Sequence, residues 1–255
     1  MKGSKTQLEF NSLKPMPLWE SLIYFGGGCL LFILIERVIV PSLAELGVSN
    51  TIIFILLFTP MILFFFTALI AYRLEGNPWQ WSAFTSRFRL HPIRGKFWLW
   101  VFLFVLVDIG LYLAVYQFGF PVVKWIHDLI PSPAVVNAAY GDSEHFAGFK
   151  LVGNWWLLLL WFVMFFFNIM GEELLWRGYI FPRQELKYGK STWIVHGLLW
   201  TGFHLFWPYN ALMVLPGALF MSYIVQRYKN TTIFILSHAT LNALAAIRIV
   251  SGIIG

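Results

Sequence analysis

Charged side chains are scarce in this chain of 255 residues, in which Asp, Glu, Lys and Arg together make up 12%. A soluble domain normally carries about twice that fraction. Hydrophobic side chains make up 59% of the chain, and the mean hydropathy is +0.71. These values exclude an ordinary soluble globular domain and predict an integral membrane protein that crosses the lipid bilayer several times.

Cysteine and clustered basic residues are also lacking. The single cysteine, Cys29, lies in a hydrophobic run and has no second cysteine with which to form a disulfide within the chain. The formal charge of +6 is not gathered on a basic face with interleaved aromatic residues. Such a face would be typical of nucleic-acid binding, so no nucleic-acid partner is predicted.

Long hydrophobic runs are abundant. Runs of about 17–25 residues can cross a bilayer as helices. The sequence therefore predicts an all-α fold, a polytopic transmembrane bundle of 7–8 helices. The predicted spans are 18–40, 51–72, 97–118, 155–170, 192–206, 211–226 and 231–249, and the short apolar stretch 121–130 adds an eighth helix as a re-entrant or interfacial piece.

The predicted organisation is a single integral membrane domain over residues 1–255. It comprises a polar tail at 1–17, N-terminal helices and loops at 18–150, and a C-terminal region at 151–250. Lys and Arg are enriched in cytoplasmic loops. Four basic segments lie on one side of a seven-span bundle, which places the N-terminus in the cytoplasm. They are the tail (Lys2, Lys5 and Lys14), the loop after the second span (Arg73, Arg87, Arg89, Arg94 and Lys96), the loop after the fourth (Arg183, Lys187 and Lys190) and the turn after the sixth (Arg227 and Lys229).

Two adjacent glutamates, Glu172 and Glu173, interrupt the fourth hydrophobic run. A charged side chain at membrane depth is costly and usually marks a functional site. Residues at i and i+4 share a helix face, so Glu173 and Arg177 are predicted to pair. Glu172 points elsewhere and has no charge partner on its own helix. The alternative is a solvated helix end with one ordinary ion pair.

Polar residues recur in the fifth and seventh runs. His238 and Asn242 lie on one helix face and indicate a polar pocket, or else an interhelical hydrogen-bonding pair. His204 lies late in the fifth run, and His196 in the same run is an alternative to it on spacing alone.

Two further acids lie in hydrophobic runs of the N-terminal half. Asp108 is either a proton relay or a hydrogen-bonding partner of a neighbouring helix. Glu36, next to Arg37, is expected at the membrane interface, near the end of the first run.

Together, Glu172-Glu173-x-x-x-Arg177, Trp200-x-x-x-His204 and His238-x-x-x-Asn242 resemble the motifs EExxxR, FxxxH and HxxxN/B of the CAAX protease and bacteriocin-processing enzyme (CPBP or Abi) family of intramembrane endopeptidases. The resemblance covers about residues 155–246. The second motif departs from the family pattern, because Trp200 stands where Phe is usual. A large aromatic side chain is retained, so a packing role is expected to survive.

The resemblance implies hydrolysis of a peptide bond in a membrane-anchored polypeptide or peptide. It also implies an active site inside the bundle and a catalytic core at residues 151–250. It implies that Glu172 and His204 activate water and that His238 and Asn242 form an oxyanion hole. Glu173, Arg177 and Trp200 would then support the catalytic residues. No cofactor is predicted, although Glu172, His204 and His238 offer the ligands that zinc prefers.

Compact loops are typical of a prokaryotic member, which implies the prokaryotic plasma membrane. Two alternatives to a protease remain. One is a non-catalytic scaffold or immunity protein of the same fold. The other, a small transporter, is less favoured because no internal repeat is visible.

Overall fold

The computed structural model describes residues 13–118 and 121–255, and these residues form an all-α bundle with one very short hairpin. The predicted fold class is confirmed. The first helices are α1 (Leu18–Leu34), a π-helical segment (Ile35–Ile39), α2 (Val40–Glu45), α3 (Asn50–Leu74), α4 (Trp81–Arg87), α5 (Lys96–Phe118), α6 (Pro121–Leu129) and α7 (Ala134–Tyr140).

The hairpin pairs β1 (His145–Phe146) with β2 (Phe149–Lys150) and precedes the second half of the bundle. That half contains α8 (Trp156–Glu172), a π-helical segment (Glu173–Ile180), α9 (Phe181–Tyr188), a 3-10 turn (Gly189–Ser191), α10 (Thr192–Phe203), a 3-10 turn (His204–Phe206), α11 (Pro208–Tyr228) and α12 (Thr231–Ile254).

Within the described residues, five helical runs are long and apolar enough to cross a membrane: Leu18–Glu45, Asn50–Leu74, Trp156–Phe206, Pro208–Tyr228 and Thr231–Ile254. The predicted span at 97–118 lies in α5, which has 23 residues. Trp156–Phe206 contains two predicted spans, and the chain turns between them at Gly189, whose φ of +54° suits a residue without a side chain. Helices dominate because the bilayer core cannot satisfy unpaired backbone groups.

Helix α6 is too short to be a further span. Its nine residues rise only about 14 Å at 1.5 Å per residue, against a hydrocarbon core of about 30 Å. It packs instead against α11. The sequence-based expectation of a brief non-spanning helix at 121–130 therefore agrees with the observed element.

Aromatic side chains fill the centre of the bundle where α1, α3, α10 and the second π-helical segment meet. Trp176 is fully buried; its ring stacks on Phe25 at 4.5 Å and contacts Phe64 edge-on at 5.0 Å. Phe203 completes this cluster at 5.3 Å from Trp176. Close packing of this kind holds membrane helices together where lipid offers no hydrophobic driving force.

The segments predicted to be basic loops meet at one end of the bundle. The backbone N–H of Met16 donates to the carbonyl of Arg183 at 3.0 Å, and that of Thr231 donates to the carbonyl of Arg89 at 2.9 Å. Lys229 donates to Glu185 at 2.5 Å. Residues of the N-terminal tail before 13, including Lys2 and Lys5, lie outside the described residues. The other segments share one end, as a seven-span arrangement requires.

Candidate active site

A cavity of about 390 Å³ opens among the helices, and all four residues predicted to be catalytic line it: Glu172, His204, His238 and Asn242. They come from the end of α8, the turn after α10, and α12. The opposite wall comes from the N-terminal half of the chain, through residues of α1, its π-helical continuation, α3, α5 and α7. The motifs of the second half therefore do not enclose the cavity by themselves.

Glu172 is the last residue of α8 and is 3% exposed. Its Oε2 accepts a hydrogen bond from the indole Nε1 of Trp200 at 2.9 Å. This bond fixes the carboxylate and leaves Oε1 for a ligand in the cavity. Besides the expected packing role, Trp200 therefore donates a hydrogen bond to Glu172, which a phenylalanine could not do.

His204 lies at the junction between α10 and the 3-10 turn that follows it. Its Nδ1 is 2.8 Å from the backbone carbonyl oxygen of Trp200. A carbonyl can only accept, so Nδ1 carries a proton in this bond. Nε2 is then the nitrogen available for chemistry in the cavity.

His238 and Asn242 are half-buried on the inner face of α12. The Nδ1 of His238 is 2.9 Å from Oε1 of Glu173, which leaves Nε2 free of that contact. The Nδ2 of Asn242 donates to the carbonyl of His238 at 3.1 Å, and its Oδ1 accepts from Nδ2 of Asn168 at 3.4 Å. One N–H of the Asn242 amide therefore remains for a ligand, since the group has two donors.

Glu173 and Arg177 form a fully buried ion pair, with Nη1 of Arg177 3.2 Å from Oε1 of Glu173. The guanidinium lies between two aromatic rings, 4.1 Å from the centre of Trp200 and 3.9 Å from that of Phe234. Its Nε and Nη2 have no hydrogen-bond acceptor among the described residues. The ring faces accommodate this cation, which is the cation–π arrangement. Neither Glu173 nor Arg177 lines the cavity.

His196, the alternative to His204, lies elsewhere. It is fully buried, its Nδ1 is 2.7 Å from Oε1 of Gln184, and its ring contacts Phe25 and Phe181. It is not among the residues that line the cavity. Of the two histidines in the fifth predicted span, only His204 reaches the site.

Three further polar residues lie on the cavity wall, and the sequence assigned none of them to the site. Glu36, which was expected at the membrane interface, is 1% exposed and lines the cavity. Asp108 lines the same cavity from α5, and Asn168 lies one helical turn before Glu172. For Glu36 and Asp108, the acidic side chain within a hydrophobic run was the feature that could have assigned them to the site. Asn168 carried no signal, because a lone amide is common in membrane helices.

Glu172, His204 and His238 are residue types that zinc prefers as ligands, so the structure was compared with a three-ligand zinc site. In residues 13–118 and 121–255, no group of three His, Cys, Asp or Glu side chains is arranged to hold a metal ion. The residues present therefore do not fit a three-ligand zinc centre in this arrangement.

The fold and the cavity define an integral membrane protein with a polar site enclosed by apolar helices. Residues 154–244 match the family model described as Type II CAAX prenyl endopeptidase Rce1-like, so this segment of the chain is similar to CAAX proteases. The matched segment contains all four residues predicted to be catalytic. No curated protein and no solved structure gave a significant match.

Proposed function

We propose that the protein is an intramembrane endopeptidase that hydrolyses a peptide bond in a membrane-associated polypeptide, with Glu172 and His204 activating water. The observation that carries the proposal is the convergence of Glu172, His204, His238 and Asn242 on one cavity inside an apolar bundle. Buried polar groups at membrane depth that face a common cavity are a typical mark of function.

The base in this proposal is Glu172. Trp200 holds Oε2, so Oε1 faces the water that attacks the substrate carbonyl carbon. His204 presents Nε2 to the same water, because its Nδ1 is held by the Trp200 carbonyl. The proton removed from water passes through these two groups to the leaving nitrogen as the C–N bond breaks.

The oxyanion formed at the carbonyl requires donors placed before the reaction. In the imidazolium form, His238 donates Nδ1–H to Glu173 and Nε2–H into the cavity. The free N–H of Asn242 is the second donor. Arg177 holds Glu173, and Glu173 holds the ring of His238, so the ion pair acts by positioning.

The proposed mechanism uses no metal ion, in keeping with the poor fit of the site to zinc. We expect cleavage by the purified protein in detergent to continue in excess EDTA or a stronger zinc chelator. Loss of cleavage that zinc then restores would contradict this part of the proposal.

Comparative proteomics of membrane peptides tests the activity itself. Cells that express Glu172→Gln should accumulate an uncleaved precursor that cells expressing the wild type process. Glu144→Gln is the matched control, since Glu144 is an exposed residue of a loop. Normal processing by Glu172→Gln at equal expression would reject a protease and favour the scaffold alternative.

The membrane in which the protein lies, and its orientation there, belong to the same proposal. We place the protein in the prokaryotic plasma membrane with its N-terminus in the cytoplasm. The support is the meeting of the basic segments at one end of the bundle, because Lys and Arg are retained on the cytoplasmic side.

A further inference from the structure

The cavity has a part that the proposed mechanism does not use. Glu36 lies in the π-helical segment Ile35–Ile39 and is 1% exposed. Its Oε2 accepts a hydrogen bond from Nε1 of Trp207 at 2.8 Å. Its Oε1 is buried and has no donor among the described residues. An acceptor of this kind inside a ligand-sized cavity is costly unless a ligand supplies its donor.

Acidic side chains predominate on the cavity wall. Three carboxyl side chains line the cavity, those of Glu36, Asp108 and Glu172, and the lining residues that the structure describes include no Lys or Arg. The imidazolium of His238 in the proposed mechanism is held by Glu173. Arg37, next to Glu36 in the chain, donates to the carbonyl of Pro131 at 3.1 Å, so no Lys or Arg of the described residues faces Glu36 from within the cavity.

Aromatic groups flank this carboxylate. Trp207 and Tyr140 both line the cavity, and their rings lie 6.1 Å apart. Burial, with the nearby Glu36 carboxylate adding to it, raises the pKa of Tyr140, so its hydroxyl stays neutral and adds no charge to the cavity. Aromatic faces next to a carboxylate suit an organic cation, which both attract.

The backbone explains why Glu36 points inward although its neighbours in sequence suggest an interface. A π-helical segment adds a residue to the turn and redirects side chains, and such segments are frequent at functional sites. The second π-helical segment of the chain, Glu173–Ile180, directly follows Glu172. The first segment thus contributes Glu36 to the cavity wall, and the second begins directly after the wall residue Glu172.

We propose that Glu36 is a specificity-determining residue whose carboxylate binds a Lys or Arg side chain of the polypeptide substrate, beside the scissile bond. The proposal rests on the protease function proposed above. A buried carboxylate and a complementary cation favour the matching substrate, and they disfavour one with a neutral or acidic residue at that position.

The test uses lipidated, fluorescence-quenched peptides in which each position carries either lysine or norleucine, its uncharged analogue of similar length. At one position, the wild type should cleave the lysine peptide with a kcat/KM about 10–100-fold higher than the norleucine peptide. Glu36→Gln keeps an acceptor for Trp207 but removes the charge, and its ratio should fall to about one. Glu36→Asp keeps the charge and should retain a preference.

The matched control is Glu45→Gln, which makes the same change at an exposed position on the same helical run. Its selectivity should equal that of the wild type. A wild type with no preference for lysine at any position would overturn the acidic subsite, and so would a folded Glu36→Gln that keeps the wild-type ratio.

A binding measurement separates this proposal from the protease function. Glu172→Gln and the double variant Glu172→Gln, Glu36→Gln are titrated with the same peptides, and dissociation constants are compared. Tighter binding of lysine peptides that depends on Glu36, with no cleavage by the wild type, would support the subsite and reject the protease. Cleavage without a lysine preference would support the protease and reject the subsite.

Discussion

At the scale of single residues, the adjacent glutamates have different surroundings although both are buried. Glu172 meets an indole N–H and the cavity, whereas Glu173 meets Arg177 and His238 and is sealed from the cavity. Local helix geometry anticipated the i to i+4 pair. It did not anticipate that Glu173 also holds a histidine 65 positions further along the chain.

The buried ion pair gives the first prediction. Arg177→Ala leaves the carboxylate of Glu173 without its cation, and breaking one side of a buried pair costs about 3–5 kcal/mol of stability. Thermal unfolding in detergent should show a clear drop in melting temperature relative to the exposed control Arg94→Ala. An Arg177→Ala protein as stable as the wild type would contradict the structural role of the pair.

Trp200 gives the second prediction. Trp200→Phe restores the residue usual in the family motif and keeps an aromatic ring over Arg177, but it removes the donor to Glu172. A hydrogen bond to a charged group contributes about 1.5–3 kcal/mol, so kcat/KM should fall about 10–100-fold. The melting temperature should fall as well, because the buried carboxyl of Glu172 loses its donor.

Trp193→Phe serves as the control for Trp200→Phe, because Trp193 is half-buried on the same helix and does not line the cavity. Equal activity of the two variants would mean that the indole N–H of Trp200 does not orient the base.

At the scale of elements, the helices meet where side chains are smallest. Gly171 precedes Glu172 in α8, and a Cβ placed there would lie 2.3 Å from the carbonyl oxygen of Met61 in α3. This neighbour is a backbone atom, which cannot move aside as the end of a flexible side chain can. The contact between α3 and α8 therefore fixes the height and rotation of the helix end that carries the proposed base.

Gly171→Ala is expected to push α3 and α8 apart, because an overpacked core typically costs about 1–3 kcal/mol. Both the melting temperature and kcat/KM should fall. Gly27→Ala is the control, since a Cβ at this helical glycine of α1 meets nothing within 4 Å. Tolerance of both substitutions would show that the close approach at Gly171 does not hold the site.

At the scale of the whole molecule, the bundle has two unlike ends. One end gathers basic segments through the contacts of Met16 with Arg183 and of Arg89 with Thr231. At the other end, the start of α3, which follows the loop at 46–49, contacts the hairpin. There Thr51 donates to the carbonyl of Ala147 at 2.8 Å. The positive-inside rule then orients the entire bundle once one end is assigned.

Cysteine labelling tests this orientation. In a Cys29→Ser background, Leu46→Cys should react with an impermeant maleimide on intact bacterial spheroplasts, and Lys190→Cys only after permeabilisation. Both positions are exposed at opposite ends of the bundle, so each serves as the other's control. The reverse pattern would place the N-terminus outside the cytoplasm.

Much of the candidate site could be predicted from the sequence. Glu172, His204, His238 and Asn242 were identified from motif spacing, and all four line one cavity. Glu36 was not assigned to the site because its neighbours in sequence suggest a helix end, whereas in the structure it lies in a π-helical segment and lines the cavity. The choice between His196 and His204 also needed the structure, because both lie in the same apolar helix run.

The sequence by itself determined that the chain is an all-α membrane protein and which polar groups are available, because a bilayer admits uninterrupted apolar helices and makes every charge within them conspicuous. The tertiary structure alone decided which of these groups meet. The bond between Glu36 and Trp207 joins residues 171 positions apart, and that between Glu172 and Trp200 joins separate helices. Helices that are apolar all round carry no pattern to show which face turns inward, so packing has to decide it.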